Sequence, residues 1–209
     1  MQTSFGVVIL CGGRSSRMGR DKAELSYGQT TFLAELLQKM RSYPELLISA
    51  NRPDDYAQYG VPVASDVFPH CGPMAGIHAA LTMCRSDALL CLPCDVPLFT
   101  REFGDYLCAE MQPLDDALIV ETRDGRFHPP CGVYRKRTAA IMERCLTEGK
   151  YKMWDALNQI RWRPVALEGG PFPDSILTNV NTWEEYNSLF KKQADSEGRA
   201  KACVPGVFI

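Results

Sequence analysis

The sequence predicts a three-layer α/β fold with a mostly parallel sheet, and three observations predict it. Short apolar runs alternate with stretches of helical apolar spacing along most of the chain. Several of the runs are continuous rather than alternating, as strands buried on both faces are. No internal repeat and no linker divides the 209 residues, a length one large domain accommodates.

Phe5 to Cys11 (FGVVILC) is a β-branched apolar run ending at a glycine pair, the mark of a buried parallel strand. Phe32, Leu33, Leu36, Leu37 and Met40 recur on one helix face. Leu46 to Ala50 reads as a second strand and Val61 to Ala64 as a short third. Met74, Ile77, Ala80, Leu81 and Cys84 mark a helix just after Gly72-Pro73, where proline suits a first turn. Ala88 to Leu92 is a fourth strand, followed by strands at Ala117 to Val120 and Gly132 to Tyr134. Ala139, Met142, Cys145 and Leu146 mark a further helix, and Trp162 to Leu167 a strand. Thr182 with Glu185 is a capping-box pair opening a last helix, expected to bury Trp183, Tyr186, Leu189 and Phe190. One domain is expected over residues 1–193. The tail, 194–209, is either disordered or laid over the surface.

Composition narrows the function classes. Lys plus Arg is 23 and Asp plus Glu 25, a net charge of −2. That near-balance argues against a nucleic-acid partner, which shows as a basic excess. No apolar run reaches the ~18 residues of a membrane span, and no export signal is seen, so no membrane partner and a cytoplasmic location are expected. Nine cysteines at irregular spacing (Cys11, Cys71, Cys84, Cys91, Cys94, Cys108, Cys131, Cys145 and Cys203) read as reduced, mostly buried thiols.

In an open α/β sheet, ligands sit outside the carboxyl ends of the strands. After the first run comes Cys11-Gly12-Gly13-Arg14-Ser15-Ser16-Arg17-Met18-Gly19-Arg20-Asp21-Lys22. Its glycines let backbone amides approach an anion, and Arg14, Arg17, Arg20 and Lys22 add four cations within nine positions. Such a loop suits a triphosphate, against the bland alternative of a basic surface turn. It is neither a Walker A loop nor a dinucleotide fingerprint. After the fourth run, Asp95 stands between Pro93 and Pro97, placed either to hold Mg²⁺ against phosphate or to cap a helix starting near Thr100. Cys91 and Cys94 spell C-x-x-C, without the second pair that zinc needs. Asp66 precedes Gly72-Pro73 and the helix that opens there. In Asn179-Val180-Asn181-Thr182 the asparagines either cap the last helix or reach a metal's water shell.

Together these pieces resemble the molybdenum cofactor guanylyltransferases. The resemblance rests on Leu10-Cys11-Gly12-Gly13 with Arg17-Met18-Gly19 and Asp21-Lys22-Ala23, and on Asn51-Arg52 and Gly72-Pro73-Met74-Ala75-Gly76. It continues through Pro93-Cys94-Asp95-Val96-Pro97, His128-Pro129 and Asn179-Val180-Asn181-Thr182, in order, from about residue 7 to residue 190. It implies a Rossmann-like nucleotidyltransferase fold that binds GTP with Mg²⁺ as cofactor. The implied reaction transfers GMP to the terminal phosphate of molybdenum-molybdopterin, releasing pyrophosphate. GTP and molybdenum-molybdopterin are the implied partners, with molybdoenzymes or cofactor chaperone proteins as further ones.

Carried over by motif, Leu10, Cys11, Gly12 and Gly13 would line the nucleotide with backbone groups. Lys22 would bind phosphate, Asp66 would sit near the nucleotide, and Asp95 would ligate Mg²⁺. Gly12 at the third place of the first motif is typical of guanine users in such families. Four departures stand out: Cys11 for a usual Ala, Ser49 where some relatives place a nucleotide-contacting Asn, Val96 for Thr, and Trp183 for Pro. Lys150, Tyr151, Lys152 and Trp154 either serve the pterin side, cations meeting its phosphate and rings its pterin, or are solvated lysines around a buried Trp. Chemically, Arg17 and Lys22 are expected to take the leaving pyrophosphate while Asp95 holds the metal at the α- and β-phosphates. Competing readings are a sugar-phosphate nucleotidylyltransferase, a non-catalytic nucleotide-binding regulator, and a thiol or zinc protein built on Cys91 and Cys94.

Overall fold

In a computed structural model of the chain, residues 3–11 and 22–189 are described. Gly12, Gly13, Arg14, Arg17, Arg20, Phe190 and the tail 194–209 with Cys203 lie outside them.

The uninterrupted apolar run forms β1 (Phe5–Leu10), buried from Gly6 onward. A one-turn 3-10 helix, Lys22–Glu24, leads into a hairpin of β2 (Ser26–Tyr27) and β3 (Thr30–Thr31), which periodicity does not reveal because each strand has two residues. Thr31 then caps α1 (Phe32–Met40), its hydroxyl accepting the Ala34 amide at 3.2 Å. All five apolar residues of the predicted face are buried, a contribution of about 1.5–3 kcal/mol for each fully buried large side chain. β4 (Leu46–Ser49) is followed by a 3-10 segment, Pro53–Tyr59, and by β5 (Val63–Ala64). α2 (Pro73–Met83) begins on the expected proline and is buried on nearly every side, because it lies between the sheet and a later helix.

β6 (Ala88–Pro93) precedes α3 (Arg101–Ala109), which Thr100 caps by accepting the Phe103 amide at 3.3 Å. The cap is thus Thr100 and not Asp95. β7 (Ala117–Glu121) and β8 (Phe127–Arg135) pair antiparallel. Only the Gly132 to Tyr134 part of β8 is apolar enough to read as a strand. The earlier half carries His128, Pro129 and Pro130, tolerated because the pairing with β7 shifts register there. α4 (Ala139–Thr147), α5 (Met153–Leu157) and β9 (Trp162–Ala166) complete the layers, α5 being too short to show a helical period.

The sheet runs β5-β4-β1-β6-β8-β7-β9, with β8 antiparallel to both neighbours and every other pair parallel. One face packs α1 and α3 against Val7, Ile9, Ile48 and Leu92; the other packs α2, α4 and α5 against Val8, Leu47, Leu89 and Cys91. This is the three-layer architecture expected. Seven of the eight described cysteines are buried, and Cys71 is partly so. Cys91 packs in one core and Cys94 in the other, so the C-x-x-C spacing does not bring the two thiols together. Among the described residues, no helix is long and apolar enough to cross a membrane.

The last helix corrects one expectation. Its capping box is present: Glu185 accepts the Asn181 and Thr182 amides at 2.6 and 3.0 Å and donates its own amide to Thr182 Oγ1 at 3.2 Å. Leu189 is buried and Tyr186 half-buried, but Trp183 is 43% exposed and packs only its edge on Tyr186. The helix lies on a small satellite cluster rather than on the main sheet, and it contributes Leu189 and Tyr186 to that cluster but not Trp183.

Candidate active site

The chain passes from β1 to β4 and β5 on one side, then returns to β6 on the other, so the order reverses around β1. Such a reversal opens a crevice at the carboxyl ends of the strands. Leu10 is in register with Ser49 on one side and Pro93 on the other. The Cys11 amide donates to the Ser49 carbonyl at 2.8 Å, and the Cys94 amide to the Leu10 carbonyl at 3.1 Å. Three loops therefore leave the sheet at one level. The side chains of Leu10 and Cys11 are buried.

Asp95 stands two residues beyond β6, its carbonyl accepting the Val180 amide at 2.9 Å. Lys22 donates from Nζ to Asp95 Oδ2 at 2.9 Å and to Asn181 Oδ1 at 2.5 Å. Residues separated by 73 and 159 positions thus converge on one ammonium group. The satellite cluster explains the convergence. Leu25, Phe32, Val180 and Leu189 are buried together, with Tyr27, Leu98 and Tyr186 around them. Tyr186 also donates to the Ser26 carbonyl at 2.8 Å. Burying this cluster ties the turn after the polar loop to the Asn179–Thr182 stretch. Asn181 is the residue that sequence reasoning left between two roles; its side chain takes the lysine, and the helix cap falls to Thr182 and Glu185.

The second oxygen of Asp95, Oδ1, is buried and has no hydrogen-bond partner. A desolvated carboxylate oxygen is costly unless a cation or donor meets it. Among the described residues, no group of three or more His, Cys, Asp or Glu side chains could hold a metal unaided. Mg²⁺ seldom needs one, since one or two protein oxygens plus substrate phosphates commonly suffice. Asp95 with its spare oxygen, beside the Asn181 amide oxygen, fits that donor set.

A second polar pole lies across β1 and β4. A Cβ placed on Gly76 of α2 would stand 2.5 Å from Ser49 Oγ and 3.6 Å from Asp66 Oδ1, so both groups converge over that glycine. Asp66 Oδ1 is likewise buried without a partner. Burial pushes the Asp66 carboxyl above its usual range, against an opposing pull from His70. Ser49 and Asp66 are therefore brought together, with Gly76 as their floor.

Beyond its last pair with β6, Cys91 opposite Gly132, the first half of β8 continues past the end of that strand. Burial, and after it the Asp95 charge, push the Cys131 thiol up to about 12. Burial, and after it Arg126, hold His128 below its usual range, which keeps the imidazole neutral at neutral pH. The segment ahead of α5 approaches the start of α2: the Tyr151 carbonyl lies 4.0 Å from where a Gly72 Cβ would stand. Trp154 is not the buried tryptophan considered from sequence; it is 37% exposed and meets Phe127 and Trp162 edge-on. Lys150 is paired with Glu148 at 2.7 Å, whereas Lys152 and Tyr151 are exposed. Of the expected site residues, Lys22 and Asp95 are bonded to each other, Leu10 and Cys11 are tied by backbone bonds to Cys94 and Ser49, and Ser49 meets Asp66 over Gly76; Gly12, Gly13 and Arg17 lie outside the described residues.

Residues 7–163 match the family described as the MobA-like NTP transferase domain. The chain is 32% identical, over 88% of its length and 96% of the relative's, to a probable molybdenum cofactor guanylyltransferase of Clostridium perfringens. It is 35% identical to a probable enzyme of the same name from Carboxydothermus hydrogenoformans, covering 88% of this chain and 94% of that one. In fold it is similar to molybdopterin-guanine dinucleotide biosynthesis protein A from Archaeoglobus fulgidus, with a TM-score of 0.78 at 21% identity, covering 91% of this chain and 99% of that one. It is also similar in fold to a CMP:2-keto-3-deoxy-manno-octonic acid synthetase complexed with CTP, with a TM-score of 0.70 at 12% identity, covering 93% and 100%.

Proposed function

The chain belongs to the MobA-like NTP transferase family, and from that premise we propose that it transfers GMP from GTP to the phosphate of molybdenum-molybdopterin. Pyrophosphate is the second product. The observation that carries the site assignment is the meeting of Lys22, Asp95 and Asn181 at the point where strand order reverses.

A phosphate monoester is already a nucleophile at neutral pH, its second pKa being about 6, so no strong general base is required. One of its oxygens attacks the α-phosphorus of GTP, and the bond from that phosphorus to the oxygen bridging to the β-phosphate breaks. The electron pair leaves with pyrophosphate. The protein must hold two polyanions in line against their repulsion. Lys22, a donor on a four-carbon stem, would turn from Asp95 to the leaving phosphates, with Arg17 acting on them too. Asp95 and Asn181 would hold Mg²⁺, which when bound neutralises charge on the α- and β-phosphates. The Leu10 carbonyl and the Cys11 amide are engaged with Cys94 and Ser49, so the Cys11 carbonyl and the backbone groups of Gly12 and Gly13 that follow would line the nucleotide. Ser49 and Asp66 offer a hydroxyl and a carboxylate to the donors of the base or ribose. Lys152, Tyr151 and Trp154 would serve the pterin substrate as cation and ring faces; Lys150 is engaged with Glu148. The reading carries a cytoplasmic location and hand-over of the product to molybdoenzymes or their chaperones.

The test is pyrophosphate release with each of the four nucleoside triphosphates, with and without molybdenum-loaded molybdopterin. Release that requires both GTP and the loaded pterin is expected. Preference for CTP, or turnover with glucose 1-phosphate in place of the pterin, would overturn it.

A further inference from the structure

The polar loop leaves the sheet at Cys11 and ends at Lys22, so the placement of the Lys22 ammonium depends on how the far foot of the loop is held. Part of the hold is apolar: Ala23 and Leu25 are buried, and the Leu25 amide donates to the Lys22 carbonyl at 3.1 Å. The other part is polar and comes from the segment after β4. Tyr59 donates its hydroxyl to Glu24 Oε1 at 2.8 Å, across 35 positions of sequence. The same oxygen stands 3.1 Å from Thr31 Oγ1.

The proton directions are mutually consistent. The Glu24 carboxylate only accepts, so the Tyr59 proton goes to it and Thr31 Oγ1, which also accepts the Ala34 amide as the cap of α1, donates its own proton to the Tyr59 oxygen. Burial pushes the phenol up to about 12, with Glu24 and the neighbouring Cys11 adding to it against the bond from Thr31, so the group remains a donor across the working pH range. One hydroxyl thus joins the turn that carries Lys22, the cap of α1 and the segment following β4, beside the near foot of the loop.

We propose that Tyr59 is a positioning residue for the transfer: through Glu24 it fixes the turn that sets Lys22 against Asp95 and Asn181. This rests on the reading of Lys22 as the cation that meets the leaving phosphates. Glu24 is exposed, so the bond adds little to global stability. Placement of a charge at the reacting centre is far less forgiving, since a shift near 1 Å costs about 100-fold.

The experiment is steady-state pyrophosphate release, with thermal unfolding, on Tyr59→Phe, Glu24→Ala, Glu24→Gln, the Tyr59→Phe/Glu24→Ala double variant, and Tyr59→Phe in a Lys22→Ala background. Tyr59→Phe is expected to lower kcat about tenfold while KM for GTP stays within about twofold and Tm is unchanged. Glu24→Ala should match it and the double variant should be no worse, because both remove one bond. Glu24→Gln keeps an accepting oxygen and should retain most of the turnover. Without Lys22, losing the hydroxyl should have no further effect. Wild-type kcat in Tyr59→Phe, additive losses in the double variant, or an undiminished Tyr59→Phe effect in the Lys22→Ala background would each overturn the proposal. If the wild-type chain releases no pyrophosphate from GTP and the loaded pterin, the functional reading falls first and this one with it.

Discussion

Replacing Gly76 by alanine puts a methyl group 2.5 Å from Ser49 Oγ and 3.6 Å from Asp66 Oδ1. The second distance is ordinary contact, but the first is not, so the serine hydroxyl must rotate away. Forcing one small side chain out of its place in a packed site costs about 1–2 kcal/mol. Alanine in a helix interior is about 1 kcal/mol better than glycine. The two terms nearly cancel, and Tm should shift by no more than about 4 °C. Nucleotide binding has no such compensation. A hydroxyl turned away loses one hydrogen bond, about 1–1.5 kcal/mol, so the affinity for GTP should fall about tenfold. Calorimetric titration with GTP in the presence of Mg²⁺ reads the second quantity, and thermal unfolding the first. Ser49→Ala/Gly76→Ala removes the collision and restores the helical gain, yet should bind GTP no better than Gly76→Ala. Wild-type affinity in Gly76→Ala would refute the assignment of Ser49 and Asp66 to the nucleotide.

Lys22→Ala and Asp95→Asn should each lower turnover by at least about 100-fold, since a well-aimed charge at the transferring group is worth about 3–4 kcal/mol; circular dichroism should be unchanged, and near-normal Mg²⁺-dependent turnover in Asp95→Asn would remove the metal from that residue. Gly132→Ala should destabilise the fold by about 3 kcal/mol or more in urea titration, because its Cβ would lie 2.1 Å from the Leu118 carbonyl oxygen, where only backbone could yield. Asp66→Asn should stabilise the protein at neutral pH while weakening GTP binding. The folded-state carboxyl is raised by burial, so its contribution is most favourable below the unfolded pKa of about 3.9 and is lost as pH rises through the folded value. The advantage of Asp66→Asn over wild type should therefore shrink as pH falls toward 4; an equal advantage at pH 7 and pH 4 would show that ionisation is not its origin.

Much of this was legible in the chain because burial on both faces of a parallel sheet writes itself as unbroken apolar runs. Phe5 to Cys11 and Ala88 to Leu92 are such runs, and the loops after them hold the chemistry, as the strand-end rule requires. Elements too short or too polar to show a period stayed hidden: the β2–β3 hairpin, α5, and the proline-bearing half of β8. Trp183 is exposed although it lies on the apolar stripe, because such a stripe says that one side of a helix is covered, but not how wide the covering surface is.

The amino-acid order alone determined the layer architecture, the places where loops leave the sheet, and the residue types able to meet a polyphosphate, since each follows from local pattern. Only the folded chain decided which of those residues act together. That Asn181 bonds Lys22 rather than capping its helix, that Asp95 keeps one oxygen buried and unmet, and that Ser49 and Asp66 share the space above Gly76 all depend on side chains distant in sequence. The physical reason is that hydrogen bonds and ion pairs act over about 3 Å, while the sequence fixes distances only between near neighbours; packing of the core must bring the rest together.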